Sequence, residues 1–230
     1  MPYPFAHPAA VLPLARPLGR FAVPSALAIG SIAPDLWHFV PLVDRAHSHG
    51  AEALLWFCLP VGLAAYLLFH LVLKAPLIAL VWPRLGVFTT AGLPSRSWLA
   101  VVTSIVAGAA THLIWDALTH SNDLTLPGPN WAQHASTIAG TVILAGWGWR
   151  KLRAAPKAPP GTGLPVFFRA CVALATLGAM TIAALWSADS WLAFDLPALR
   201  HLFRTAGLGA LDGLALALLV YCALFQRKMP

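Results

Sequence analysis

The stretch Thr111-His112-Leu113-Ile114-Trp115-Asp116-Ala117-Leu118-Thr119-His120 decides how this chain is read. It closes an apolar run that begins near Trp98, and the whole segment reaches the roughly 20 residues that a membrane-crossing helix needs. On such a helix His112, Asp116 and His120 recur at every fourth residue, so they form one stripe on neighbouring turns. A charged side chain there costs roughly 2.5–3.5 kcal/mol on insertion scales unless something compensates it. One compensation is a shared metal ion, since imidazole and carboxylate at this spacing can bind one together. The other is a helix end that wets its polar groups in the interface.

Composition supports the membrane setting. Apolar residues make up 59% of the chain and charged residues 10%, against about 45–50% and 25% in a soluble domain. With a mean hydropathy of +0.72, the sequence reads as an all-α integral membrane protein. The net charge of +7 bears on topology, because no basic patch interleaved with aromatics points to nucleic acid. Cys58, Cys171 and Cys222 each sit within an apolar run, as small hydrophobes do, and suggest neither a disulfide framework nor a thiolate metal site.

Residues 1–20 are apolar but rich in proline. The next run, 21–33, is too short to cross a bilayer and is expected to be a short helix lying in or dipping into the interface. Ser31-Ile32-Ala33 has the look of a signal-peptide cleavage site, but the preceding segment is long and apolar for an n-region, so the expectation is retention. About five transmembrane helices follow, at 52–73, 98–119, 131–149, 169–187 and 206–225. Trp98, Trp131, Trp149 and Trp186 mark segment ends as an aromatic belt would. Leu126-Pro127-Gly128-Pro129 is a tight turn joining the second and third crossings. The chain is expected to form a single membrane domain over 1–230. Residues 1–150 would carry the metal-site region, and 151–230 would add two further crossing helices.

Basic residues orient the bundle. Lys74, Arg84 and Arg96 fall in one connection, Arg150, Lys151, Arg153, Lys157 and Arg169 in another, and Arg227 and Lys228 in the tail. These segments contain no acid, so they face the cytoplasm. The hairpin between His112 and His134 then opens to the non-cytoplasmic side. His112, Asp116, His120 and His134 share that face with His47 and His49, between which spacing does not choose. His7 and Asp35 reach the same place if 21–33 does not cross the membrane. This set suffices for two metal ions with positions left open for substrate.

Other polar residues fit plainer roles. His38 lies between Trp37 and Phe39 as an interfacial anchor would, and His201 sits between Arg200 and Arg204 in a polar connection. His70 falls about 30 Å from His49 along a straight helix, which makes it second-site or structural unless that helix is tilted or broken at Pro60. Asp212 is a polar contact inside the last crossing.

At these residues the sequence resembles a bacterial membrane family without an assigned activity, domain-of-unknown-function family 4184. The resemblance rests on the opening from Pro4-Phe5-Ala6-His7-Pro8 to Pro13, and on Ala26 to Ser31 leading into Ile32-Ala33-Pro34-Asp35. It continues with Ser48-His49 placed before Pro60, Phe69-His70, the block from Thr111-His112 to Thr119-His120, and Gln133-His134. It extends over most of the chain to about Trp149, and it selects His49 over His47. That family looks like a relative of bacterial inner-membrane metal-dependent hydrolases. More distantly, the order His7, Asp35, His49, His112-x-x-x-Asp116, His120, His134 is similar to that of zinc-dependent phospholipase C. The phospholipase pattern has a carboxylate four residues after its last His, where this chain has Ile138.

The resulting expectation is a metal-dependent hydrolase, with zinc as the metal by ligand type. Asp116 and His112 would stand at the catalytic centre, Asp116 bridging two ions. His7, Asp35, His49, His120 and His134 would complete the ligand set, and the site would face outward from the bacterial inner membrane. The substrate would be a phosphodiester or other ester, in all a membrane lipid or phosphoester. Serine or cysteine nucleophiles lack a base and an orienting partner. The alternative is a non-enzymatic scaffold or permease holding a structural metal or a polar cluster, although no inverted repeat supports a transporter.

Overall fold

A computed structural model describes residues 6–40, 43–81, 97–120, 131–154, 164–186 and 196–226. Among them every regular element is helical and no strand occurs. The chain divides into two compact units, residues 1–71 with 90–155 and residues 72–89 with 156–230.

The first unit begins with short turns: α1 (Pro8–Val11), a 3-10 turn at Leu12–Leu14, α2 (Ala15–Leu18) and a 3-10 turn at Gly19–Phe21. Proline explains the brevity, because Pro8, Pro13 and Pro17 lack the N–H that would extend the preceding turn. Gly19, at φ +52, turns the chain where a side chain would be strained. Val23 is extended, and Pro24 opens α3 (Pro24–Gly30). Where the sequence suggests a helix lying in an interface, the structure has these seven residues with Ala26, Leu27 and Gly30 buried.

They are buried against α7 (Trp98–His120). The two backbones touch. A methyl group on Gly30 would overlap the Ile105 carbonyl, and one on Gly108 would overlap the Leu27 carbonyl. Small residues let membrane helices approach in this way. A 3-10 segment, Ala33–Phe39, follows α3 and carries Asp35. The four-residue α4 (Arg45–Ser48) is capped by Asp44, which accepts the His47 N–H at 2.9 Å.

Residues 54–81 are helical throughout, as a π turn at Leu54–Cys58, α5 (Leu59–Leu68), a π turn at Phe69–Leu73 and α6 (Lys74–Val81). Each widened turn lies just before a proline, Pro60 or Pro76, whose missing N–H would otherwise leave a gap in the hydrogen-bond ladder. Two apolar clusters fill this unit. One joins Val23, Ala26, Tyr66, Ala100, Val101 and Ile105. The other, Ala33, Ala53, Phe57, Cys58 and Ala109, lies next in sequence to Asp35 and His112. In α8 (Trp131–Ala154), Gly140 approaches Ala6 closely, which ties the N-terminal segment to this helix.

The second unit contains α9 (Val166–Trp186) and α10 (Leu196–Gln226), whose backbones meet at Gly213 and Ala179. Tyr221 donates its hydroxyl to the Pro76 carbonyl at 3.0 Å. The outer face of α9 leaves Val166, Phe167, Leu174 and Ile182 exposed.

Three helices among the described residues are long and apolar enough to cross a membrane: Leu54–Leu80, Trp98–Leu118 and Val166–Ala183. This is two fewer than the sequence suggests. The α8 helix has the length, but Gln133, His134, Ser136, Thr137 and Thr141 dilute its first half. In α10 the apolar stretch among the described residues is Asp212–Phe225, and Arg200, His201 and Arg204 lie in its first turns. The turn expected at 126–129 and the basic connections at 82–96 and 155–163 lie outside the described residues, as does the tail.

Candidate metal site

Five of the expected side chains converge in the first unit. His112 and Asp116 come from α7, Asp35 from the 3-10 segment, His49 from the end of α4, and His7 from the start of α1. His7, His112 and Asp116 are buried, and the side chains of His49 and Asp35 are 10% and 8% exposed.

The donor atoms face one another. His49 Nε2 lies 3.5 Å from Asp35 Oδ1 and 3.7 Å from Asp116 Oδ2. His112 Nε2 lies 3.8 Å from each of the same two oxygens. Nitrogen and oxygen therefore alternate around a four-sided ring. Two ligands bound tetrahedrally at 2.0–2.1 Å would stand about 3.3–3.4 Å apart, so each of these four neighbouring distances comes within a few tenths of an ångström of that for two ligands sharing an ion. His7 adds a fifth donor, within 4.8 Å of those of Asp35 and His112. Its ring stacks on that of His112 with centroids 3.8 Å apart.

These atoms are poorly satisfied without an ion. Among the described residues, His7 Nε2, His49 Nε2, His112 Nε2 and both Asp35 oxygens are buried and have no hydrogen-bond partner. Buried polar groups are normally paired, and several orphans at one point need a cause. The second nitrogens explain which way the rings face. His112 Nδ1 donates to the Ser31 carbonyl at 2.8 Å, which leaves the Nε2 lone pair directed inward. Ser48 donates its hydroxyl to the Arg45 carbonyl at 3.2 Å. The His49 Nδ1–H can then donate to Ser48 Oγ at 2.8 Å, freeing His49 Nε2 in the same sense. Such partners fix the tautomer of a metal-binding imidazole.

Protonation states favour coordination. Burial, followed by the neighbouring His112, pushes His7 down to about 4, so its imidazole is neutral at neutral pH. Burial raises Asp35, but the His49 contact and the surrounding imidazoles outweigh it, and the carboxyl is held below its usual range. His112 belongs to both donor groups. Its Nδ1 is engaged, and a single Nε2 lone pair serves one ion. The described side chains could thus hold one ion, and a second ion would need further ligands.

The side chains of His120 and His134 lie outside the described part, although their backbones continue α7 and α8. His47 turns outward, its side chain 69% exposed and bonded to Asp44. His70 bonds Ser25 Oγ at 2.9 Å and packs on Tyr66. His38 lies edge-on to Trp37 and Phe39. Asp212 is exposed in α10, and the His201 side chain lies outside the described part.

Two features escaped the sequence. Ser31 and Ser48 orient ligands through contacts that spacing does not show. Arg45 Nη2 pairs with Asp116 Oδ2 at 2.6 Å. It sits four residues before His49, and a lone cation among the candidate ligands was its signal.

The chain belongs to the family described as Domain of unknown function (DUF4184), whose match runs over residues 1–223. No curated protein and no solved structure matches it.

Proposed function

We propose that this member of the family is a membrane-embedded metal-dependent hydrolase acting on a phosphodiester or other ester, with a lipid as a fitting substrate. One observation carries the reading: four buried donor atoms from His49, His112 and Asp35 lack partners and point at one place. The donor set of imidazoles and carboxylates suits zinc. His112, His49, Asp35 and Asp116 would hold the ion, with His7 adjacent and His120 and His134 as candidate ligands of a second ion. A divalent ion there would acidify a water and offset negative charge that develops in the reaction. The protein's own residues position it. Ser31 and Ser48 fix the two imidazoles, and the apolar cluster around Ala33, Phe57 and Ala109 supports the floor.

Exposed Leu55, Trp56, Leu99, Ile114, Val142 and Phe167 support burial of the helices in lipid rather than in water. We place α8 and α10 across the membrane in addition to the three apolar helices, for five crossings. At about 1.5 Å per residue both are long enough. The membrane is the bacterial inner membrane, with the site on its non-cytoplasmic face, on the strength of the acid-free basic connections.

A second reading has its own support. The Arg45–Asp116 pair already neutralises one carboxylate, as in a purely structural polar cluster of a scaffold. A chromogenic phosphodiester separates the two. The zinc-loaded protein in detergent should hydrolyse it, and a chelator or His112→Ala should abolish the activity. Hydrolysis that persists with His112→Ala, or is absent from a fully zinc-loaded protein over a panel of phosphodiesters and carboxylic esters, would favour the scaffold.

A further inference from the structure

Arg45 is not a bystander to the donor ring. It occupies the first position of α4, one turn before His49, whose N–H donates to the Arg45 carbonyl at 3.1 Å. One guanidinium nitrogen, Nη2, reaches Asp116 Oδ2. That same oxygen faces both His49 Nε2 and His112 Nε2. Arg45 Nε is buried and has no hydrogen-bond partner among the described residues, whereas the side chain as a whole is 40% exposed. The guanidinium therefore spans from the ligand ring towards solvent with donors unused.

Charge gives those donors a purpose. Metal-bound imidazoles are neutral, so Asp35 and Asp116 balance one divalent ion. The Arg45 charge is then left over, close to the ion and repelled by it. A guanidinium that served only to neutralise Asp116 would become unfavourable once the ion entered. An anion between the two removes the repulsion. A neutral ester cannot do so. A phosphoryl group has several anionic oxygens and matches the planar fork of arginine.

We infer that Arg45 is a substrate-binding residue, and that the site takes a phosphoryl oxyanion held between the ion and the guanidinium. This rests on the metal site proposed above and narrows its substrates from esters in general to phosphoesters.

The test uses the full chain purified in detergent and loaded with zinc, with inorganic phosphate as the probe and elemental analysis run beside it. Wild-type protein should bind phosphate when loaded and not after chelation. Arg45→Met should keep its zinc and bind phosphate at least about tenfold more weakly, as expected for loss of charge-assisted hydrogen bonds. Arg45→Lys should recover part of the loss, because a point charge replaces the fork. Unchanged phosphate affinity in a zinc-replete Arg45→Met would overturn the inference. Loss of zinc in both variants would overturn it too, making Arg45 a support for Asp116. Acetate binding as tightly as phosphate would overturn the choice of phosphoryl group. Absence of zinc from the wild type would instead remove the metal site itself, and this inference with it.

Discussion

Two buried polar spots on α7, two turns apart, differ in one respect. At Ser104 every hydrogen-bonding demand is met, since its hydroxyl accepts the Val23 N–H at 2.9 Å and donates to the Phe21 carbonyl at 2.8 Å. At His112 the ring is anchored on one side by Ser31, while its other nitrogen is buried and lacks a hydrogen-bond partner among the described residues. Both residues are buried to 1% exposure or less, so burial alone does not separate them. Satisfaction does. Ser104 ties an extended segment to a helix and finishes its work there. His112 keeps a demand that the described residues do not meet.

Removing the inward-facing nitrogen should have the largest effect. His112→Ala is expected to weaken zinc binding by more than about 100-fold, the upper end of what even outer contacts to a metal site cost. Equilibrium dialysis against a zinc indicator measures it, and affinity within a few-fold of wild type would erase the distinction drawn between the two spots.

Ser48→Ala probes the same contrast one shell out. Without the Ser48 oxygen the His49 ring loses the bond that fixes its tautomer, and zinc affinity should fall by about 10–100-fold while the fold persists. If the variant keeps wild-type affinity, the orientation of His49 has another source.

At the satisfied spot the expectation reverses. Ser104→Ala strands a buried N–H and a carbonyl, costing on the order of 1–3 kcal/mol, with zinc affinity unchanged. Thermal unfolding in detergent and dialysis together check it. A fall in zinc affinity with no change in unfolding would mean the roles are exchanged.

How far the sequence disclosed these differences varies by residue. The stripe of His112 and Asp116 was visible because helical period 3.6 is a local property. The convergence of His7, Asp35 and His49 depends on how α1, α3 and α4 fold back onto α7, which no spacing reveals. The near contact of Gly30 and Gly108 with the opposing backbones, which brings α3 and α7 together, likewise joins positions far apart in the chain. Resemblance to family 4184 supplied what periodicity did not, selecting His49 while spacing left His47 equal. Once α4 is formed, the two rings point to opposite sides of a single turn, and only one can face inward. Crossing count was less legible, since apolar length alone does not weigh the polar residues early in α8 and α10.

The smallest effect belongs to the residue on the outward side of that turn. His47→Ala should leave zinc affinity within about twofold of wild type, because an exposed pair such as His47 with Asp44 contributes about 0–1 kcal/mol at most. A larger loss would bring His47 into the ligand set and dissolve the contrast with His49.

The central claim, that the unpaired atoms around His112 are a metal site, is tested most directly by elemental analysis of the purified full-length chain. Protein isolated without chelators and exchanged into metal-free detergent buffer should retain at least about one zinc or other divalent ion per chain. The Asp35→Asn and His112→Ala variants prepared in parallel should retain much less. A wild-type protein that folds, stays monodisperse and holds no stoichiometric metal after incubation with zinc would contradict it.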